Sequence, residues 1–360
     1  MPLARKARIG FIGAGWWATA NHIPILAARD DVELTGVCRL GQDELQKIRD
    51  HFGFAYATED FRELLTHCEL DGVVISSPHG LHYEHARGAL EKGLHVLCEK
   101  PLTTRADHAR ELVRLADERQ LHLVVPYGWH YKPFIQHAKT LLDSASIGNI
   151  EHVMCHMSSP VRALLSGKSV QMDARSGQAG ESMFQPDATT WADPRVSGGG
   201  YAHAQMSHAL GMLMWISGLR AKQAFCMMSA PGAKVDLYDA ITVRFTNGAL
   251  GSISGAGTLP SDGKVQVDIR IFGTEGTLFL DLERARLEVH RHDGYRFADP
   301  LATDAGTYDC NGPPHNFADL VLGKTTTNFA PGEAAMRSVE LIDAAYRSSL
   351  SGAVENAAPC

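Results

Sequence analysis

A doubly wound parallel α/β sheet, followed by a second α/β unit with a large open and mainly antiparallel sheet, is the architecture predicted by this 360-residue sequence. Three observations predict it. Short apolar runs alternate with helical patterns through the first 126 residues. Glycines cluster where the first run meets the first helical pattern. Past residue 220 the patterning changes to strict alternation broken by turn signals.

The apolar runs fall at 8–12, 33–38, 72–76, 95–98 and 122–126, and the segments between them at 16–29, 42–52, 81–92 and 104–119 carry apolar residues at helical spacing. Strands that are apolar on both faces need helices on both sides, and right-handed crossovers make the doubly wound order the economical one. A helix is expected at 133–143 and a strand at 150–157. Residues 160–197 lack periodicity and are rich in Gly, Ser, Asp and Pro, as a lid or binding loop would be. A helix at 201–216 follows three glycines. Strands then alternate over 221–289 with turns at 246–248, 261–263 and 274–276, and helices at 316–322 and 331–350 close the chain. The expected division is a dinucleotide-binding domain at 5–126, a second domain at 127–352 and a frayed tail at 353–360.

Composition narrows the class. Hydrophobic residues make up 44% and charged residues 21%, which is ordinary for a globular chain. A formal charge of −7 argues against nucleic acid and anionic membrane partners. No apolar run approaches the ~18 residues of a membrane span. Arg5, Lys6 and Arg8 ahead of an apolar stretch, with Ala18-Thr19-Ala20 beyond it, imitate an export signal, but a second motif explains the glycines there better. The seven cysteines are scattered with no CxxC pair, so reduced thiols in a cytoplasm are expected, with no metal site.

That second motif is Gly13-Ala14-Gly15-Trp16-Trp17-Ala18, which fits G-x-G-x-x-G/A directly after the strand ending at Ile12. Gly13 allows the tight turn, Gly15 lets the backbone approach a pyrophosphate, and the helix N-terminus offers N–H groups to the anion. Ile12, Gly13, Gly15, Trp16 and Trp17 are therefore cofactor candidates. The second strand is followed by Cys38-Arg39-Leu40, with no carboxylate before Asp43. A guanidinium pairs with a 2′-phosphate where a carboxylate would repel it, so Arg39 favours NADP over NAD. Alternatively, Arg39 is a surface residue beside a pocket that takes NAD. Ligands of open parallel sheets lie beyond the carboxyl ends of the strands. Ser77, Pro78, His79 and His82 after one strand, and Glu99 and Lys100 after the next, should face the nicotinamide end.

At these residues the chain resembles the Gfo/Idh/MocA family, the glucose–fructose oxidoreductase and inositol dehydrogenase group. The likeness extends over Glu99-Lys100-Pro101, over Gly198-Gly199-Gly200 leading into a helix with His208, and over the terminal helix. It implies a Rossmann domain, a C-terminal domain whose open sheet forms a homodimer or homotetramer, and redox chemistry with NAD(P) on a carbohydrate or polyol hydroxyl. It also implies that Lys100 and His208 are the catalytic pair. A desolvated lysine can relay the hydroxyl proton and steady the alkoxide, and an imidazole exchanges protons near neutral pH. The family's usual acid is replaced by Ala204, which leaves Gln205 or His203 to take part of its binding role.

Other candidates carry two meanings. Tyr127, Trp129 and His130 line a sugar pocket or form interface core. Trp191 and Arg195 close over substrate or belong to a loop of unreadable course. Met212, Met214 and Trp215 read as core, and Cys98 as an inert buried thiol. The leading function is hydride transfer between nicotinamide and a hydroxyl-bearing carbon of a sugar, sugar derivative or cyclitol. The rivals are transient oxidation by a tightly held nucleotide, driving epimerisation or glycoside cleavage, and a nucleotide-binding sensor without catalysis.

Overall fold

The computed structural model describes residues 5–171, 182–260 and 263–358. Six parallel strands, β1 (Ala7–Ile12), β2 (Val32–Cys38), β3 (Tyr56–Thr58), β4 (Gly72–Ile75), β5 (His95–Cys98) and β6 (Leu123–Val124), form the first sheet. Their spatial order is β3-β2-β1-β4-β5-β6, so the winding reverses between β1 and β4. Val73, Val74, Val96 and Leu97 are fully buried because helices cover both faces. A ligand crevice opens at the carboxyl ends of β1 and β4, where neighbouring connections diverge to opposite faces.

The second sheet has nine strands: β7 (Ile150–Ser158), β8 (Ala221–Ser229), β9 (Tyr238–Phe245), β10 (Leu250–Ala256), β11 (Gln266–Gly273), β12 (Gly276–Asp281), β13 (Arg286–Arg291), β14 (Arg296–Ala298) and β15 (Glu355–Asn356). Their order is β14-β13-β12-β11-β7-β10-β9-β8-β15. All neighbours are antiparallel except β10 with β7. The alternating burial of β9 and β11 turns one face into the core shared with the helices Pro133–Asp143 and Ser207–Ser217 and leaves the other exposed along β9 and half-buried along β11.

The last helix, Gly332–Ser351, ties the sheets together. Its Glu340, wholly buried, accepts from Arg110 of the first sheet's helical layer at 2.8 Å and from Arg220, just ahead of β8, at 2.6 Å.

Several expectations need correction. The segment 353–360 is not a frayed tail where it is described. Glu355 and Asn356 pair with Ala224 and Gln223 of β8, and Ala357 is buried and donates its N–H to Lys222. Polar spacing hid so short a strand. β3 and the helix Phe61–His67 also escaped the apolar patterning. The loop at 160–197 contains short helices at Arg162–Leu165, Ala188–Ala192 and Pro194–Ser197, the last two each capped by an aspartate side chain. The 261–263 turn and the end of the tail fall partly outside the described residues. No helix of the described residues is long and apolar enough to cross a membrane.

Candidate active site

The glycine motif closes β1 as a tight turn. Gly13 has φ +83°, and a Cβ there would lie 2.3 Å from the Ser77 nitrogen, so only glycine fits against β4. At Gly15 a Cβ would meet nothing within 4 Å, because that position faces open space at the start of the helical run. The indole N–H groups of Trp16 and Trp17 and the Ser76 hydroxyl lie along the same wall, and their buried polar atoms have no hydrogen-bond partner among the described residues. A clear approach to Gly15 and unclaimed polar atoms beside it fit the phosphates and polar rim of a dinucleotide.

These residues line one cavity of about 830 Å³. From the first sheet it takes Gly15, Trp16, Trp17, Arg39, Ser77, Pro78, His79, His82, Glu99 and Lys100, and from the second unit Trp129, Trp191, Gln205 and His208. Ile12 and Gly13 sit behind the wall, Ile12 as core at 1% exposure. Arg39 donates to the Ala14 carbonyl at 3.2 Å and lies 4.6 Å from the centre of the Phe184 ring. Glu44 shares this end of the lining. Burial pulls the Arg39 guanidinium below its usual range, and Glu44 opposes that. The His82 imidazole touches the cavity, but both ring nitrogens bond main-chain oxygens, of Pro101 at 2.7 Å and Ser77 at 2.8 Å, so it braces the two loops. His79 bonds the Ser197 carbonyl at 3.0 Å, and burial, reinforced by His82 and Lys100, holds it well below the usual histidine range.

Lys100 follows β5, whose ladder continues through Glu99 N–H donating to Ile75. Its ammonium donates to the Ala204 carbonyl at 2.9 Å and lies 5.6 Å from the Trp191 ring centre. Ala204 belongs to a π-helical turn, Ala202–Met206, that runs into the helix Ser207–Ser217. A π-turn loosens the regular hydrogen-bond ladder and is common at functional sites. His208, in the next turn, is edge-on to Trp129 at 5.7 Å and to Tyr308 at 5.2 Å. Lysine, after a strand of the first sheet, and imidazole, on a helix of the second unit, thus line the same cavity.

The three glycines ahead of that helix serve packing. A Cβ at Gly200 would lie 2.1 Å from the Asp236 carbonyl. Buried Asp236 accepts from the N–H groups of Gly200 at 2.7 Å and Ala202 at 2.8 Å and from the Tyr346 hydroxyl at 2.7 Å, anchoring the helix start.

Four expected pocket residues lie elsewhere. Tyr127 is buried against Gly211 and His208. His130 is buried, bonds the Phe329 carbonyl and stacks on Trp215 at 4.5 Å, so both are interface core. The Arg195 side chain is 87% exposed and pairs with Asp193. His203 packs against Tyr346 at 4.8 Å, away from the cavity. Met212 and Met214 are core, and burial drives the Cys98 thiol well above its usual range. The cavity also uses residues that carried no sequence signal, chiefly Tyr308, Ser159 and Phe184. Tyr308 comes from an irregular loop and is fixed by accepting from the Gly128 N–H and donating to the Pro126 carbonyl.

A parallel sheet with a dinucleotide crevice, joined to an open-sheet domain that completes its cavity, defines a two-domain pyridine-nucleotide oxidoreductase. Residues 7–127 match the NAD-binding Rossmann-fold model of the GFO/IDH/MocA oxidoreductase family and residues 135–279 match its C-terminal domain; the chain belongs to this family. It is 27% identical over 300 residues to an uncharacterized oxidoreductase of Synechocystis, covering 78% of this chain and 73% of that one. It is 36% identical over 125 residues to the D-glucoside 3-dehydrogenase of Escherichia coli, 35% of either chain, so that match spans about a third of the relative. The structure of a levoglucosan dehydrogenase in complex with NADH and levoglucosan shares the fold, with TM-score 0.75 at 18% identity over 99% of this chain and 100% of that one. The protein is an NAD(P)-dependent oxidoreductase.

Proposed function

We propose that the protein transfers a hydride between nicotinamide and a hydroxyl-bearing carbon of a sugar, sugar derivative or cyclitol, with Lys100 and His208 moving the hydroxyl proton. The observation that supports this is that Lys100, His208 and Gly15 all line one cavity. Gly15, Trp16, Trp17, Ser77 and Pro78 would hold the dinucleotide, which when bound supplies the hydride acceptor or donor. Lys100, kept in line by the Ala204 carbonyl, donates to the substrate oxygen and steadies its charge as the proton leaves. His208, steered by Trp129 and Tyr308, accepts or returns that proton, and Gln205 binds a neighbouring hydroxyl. The rings of Trp129, Trp191 and Tyr308 suit the C–H faces of a sugar.

Arg39 favours NADP, since its guanidinium sits on the lining beside Phe184. Glu44 at the same end is the feature that would favour NAD. The six described cysteines form no disulfide, which supports a reducing, cytoplasmic setting. The open sheet face, with Met154, Met227 and Leu250 exposed, supports a homodimer or homotetramer.

The test is nicotinamide absorbance with a sugar and polyol panel and both dinucleotides. Turnover is expected, with Lys100→Ala and His208→Ala each losing about 10²–10⁴-fold in kcat. A flat trace from protein that isomerises or cleaves the sugar selects the transient-oxidation mechanism. Unchanged turnover in both variants overturns the assignment of the pair.

A further inference from the structure

The second sheet gives the cavity a wall of its own, made by Val265 just ahead of β11 and by Leu282 and Glu283 in the turn after β12. This wall lies close to His208. A Cβ on Gly306 would lie 1.8 Å from the Leu282 carbonyl oxygen, the Gly306 carbonyl accepts from the Trp129 indole at 3.0 Å, and Trp129 is edge-on to His208.

Glu283 is half-buried on this wall and held in a set direction. The Ser158 hydroxyl donates to the side-chain oxygen of Gln266 at 2.8 Å, which fixes the amide and turns its N–H group to Glu283 at 3.3 Å. That long contact is the one hydrogen bond the carboxylate accepts among the described residues, and it forms no ion pair there. Arg284, next in the chain, is committed to Asp281 at 2.7 Å, and Lys264, also on the lining, is exposed to solvent. The other lining carboxylates are provided for. Glu99 has His22 at 2.7 Å, Asp187 has the N–H of Thr189 at 2.9 Å and its hydroxyl at 2.7 Å, and Glu44 lies beside Arg39.

A carboxylate that gives up part of its water with no counter-charge in return costs free energy in the ligand-free protein, and a ligand that brings the charge recovers it. A neutral hydroxyl is met nearly as well by an amide. A cationic donor makes the stronger, charge-assisted bond that only a carboxylate offers. We infer that Glu283 is a specificity residue whose carboxylate receives a protonated amino group of the substrate, so that the preferred substrates are amino sugars or amino cyclitols. The amine belongs on a carbon other than the one oxidised, because Lys100 serves the reacting oxygen and two ammonium groups repel. The inference rests on the cavity being the sugar site of the proposed oxidoreductase.

The test is a titration of the full chain, with dinucleotide present, by glucosamine, kanosamine and glucose at about pH 6, where a sugar amine is protonated. Binding is read from the fluorescence of the lining tryptophans. One of the two amino sugars is expected to bind about tenfold more tightly than glucose, the margin of a charge-assisted contact over a neutral one. In Glu283→Gln, which keeps the shape and loses the charge, that ratio is expected to fall to about one. Glu283→Ala carries the same expectation if the glutamine variant does not fold. Amino sugars that bind no better than glucose to the wild type overturn the inference, as does a preference that survives in Glu283→Gln, which would make Glu283 a reader of hydroxyl groups or a bystander. Nicotinamide absorbance on the same samples separates the two readings. Turnover of neutral sugars alone overturns the inference and keeps the proposed function, whereas amino sugars held through Glu283 and never oxidised keep the binding site and overturn hydride transfer.

Discussion

The ammonium of Lys100 and the main-chain carbonyl of Ala204 meet at 2.9 Å, a hydrogen bond between residues 104 positions apart that joins the two sheets at the cavity wall. At this position the resembling family carries an acid, whereas here the backbone supplies the acceptor. The Ala204 methyl is 2% exposed and packs in the core of the second unit. Ala204→Asp is therefore expected to bury a carboxylate and lower stability by on the order of 3 kcal/mol rather than improve turnover. Thermal melting with kcat measured in parallel checks this.

Arg39 offers a test of cofactor choice. Arg39→Ala removes the guanidinium at the Phe184 end and leaves Glu44. The expected result is a KM for NADP raised about tenfold or more, with the KM for NAD changed far less, as when a charge-assisted contact is lost from one ligand only. Steady-state kinetics with both dinucleotides reads the ratio. Equal changes would place the 2′-phosphate elsewhere.

Asp236 anchors the helix that carries Gln205 and His208. Asp236→Ala leaves the buried Ala202 N–H and the Tyr346 hydroxyl without their acceptor, at about 1–3 kcal/mol each, and leaves the Gly200 N–H only the Tyr346 oxygen at 3.0 Å. A large drop in denaturant midpoint is expected. Asp236→Asn, which keeps one acceptor oxygen, should lose less.

Buried histidines set the acid limit. Burial pulls His85 down to about 4 and His130 to about 3. Unfolded, each would titrate near the ordinary value of about 6.5, so between those values the unfolded chain binds more protons and stability falls as pH falls. Each contributes a slope of up to about 1.4 kcal/mol per pH unit in its window, with no loss expected from them above about pH 7. Denaturant midpoints from pH 7 down to about 4 measure it, and a flat profile would mean that both rings are charged in the fold.

The parallel sheet was legible because its strands are apolar on both faces and its glycine turn is fixed by sterics at Gly13. Lys100 and His208 were expected together from motifs flanking a strand and a helix, and both line the cavity. Other residues were not. Ala204 and Gln205 both lie one turn before His208, and periodicity cannot say which of them reaches the cavity. His203 and Gln205 were equal candidates until Tyr346 claimed the histidine. Tyr308 sits in a loop without periodicity and is placed by two long-range hydrogen bonds that leave no local signature. Arg195 looked like a substrate clamp, but the nearest carboxylate, Asp193, holds it in solvent.

The nine-stranded sheet ends in β14 at one border and β15 at the other, strands of three and two residues. Borders this short give a stray chain almost no unpaired ladder to extend, which protects a wide sheet from growing into aggregates. Deleting residues 355–357 would strip β8 of its cover, and the expected consequence is concentration-dependent clumping of otherwise folded protein, visible by light scattering.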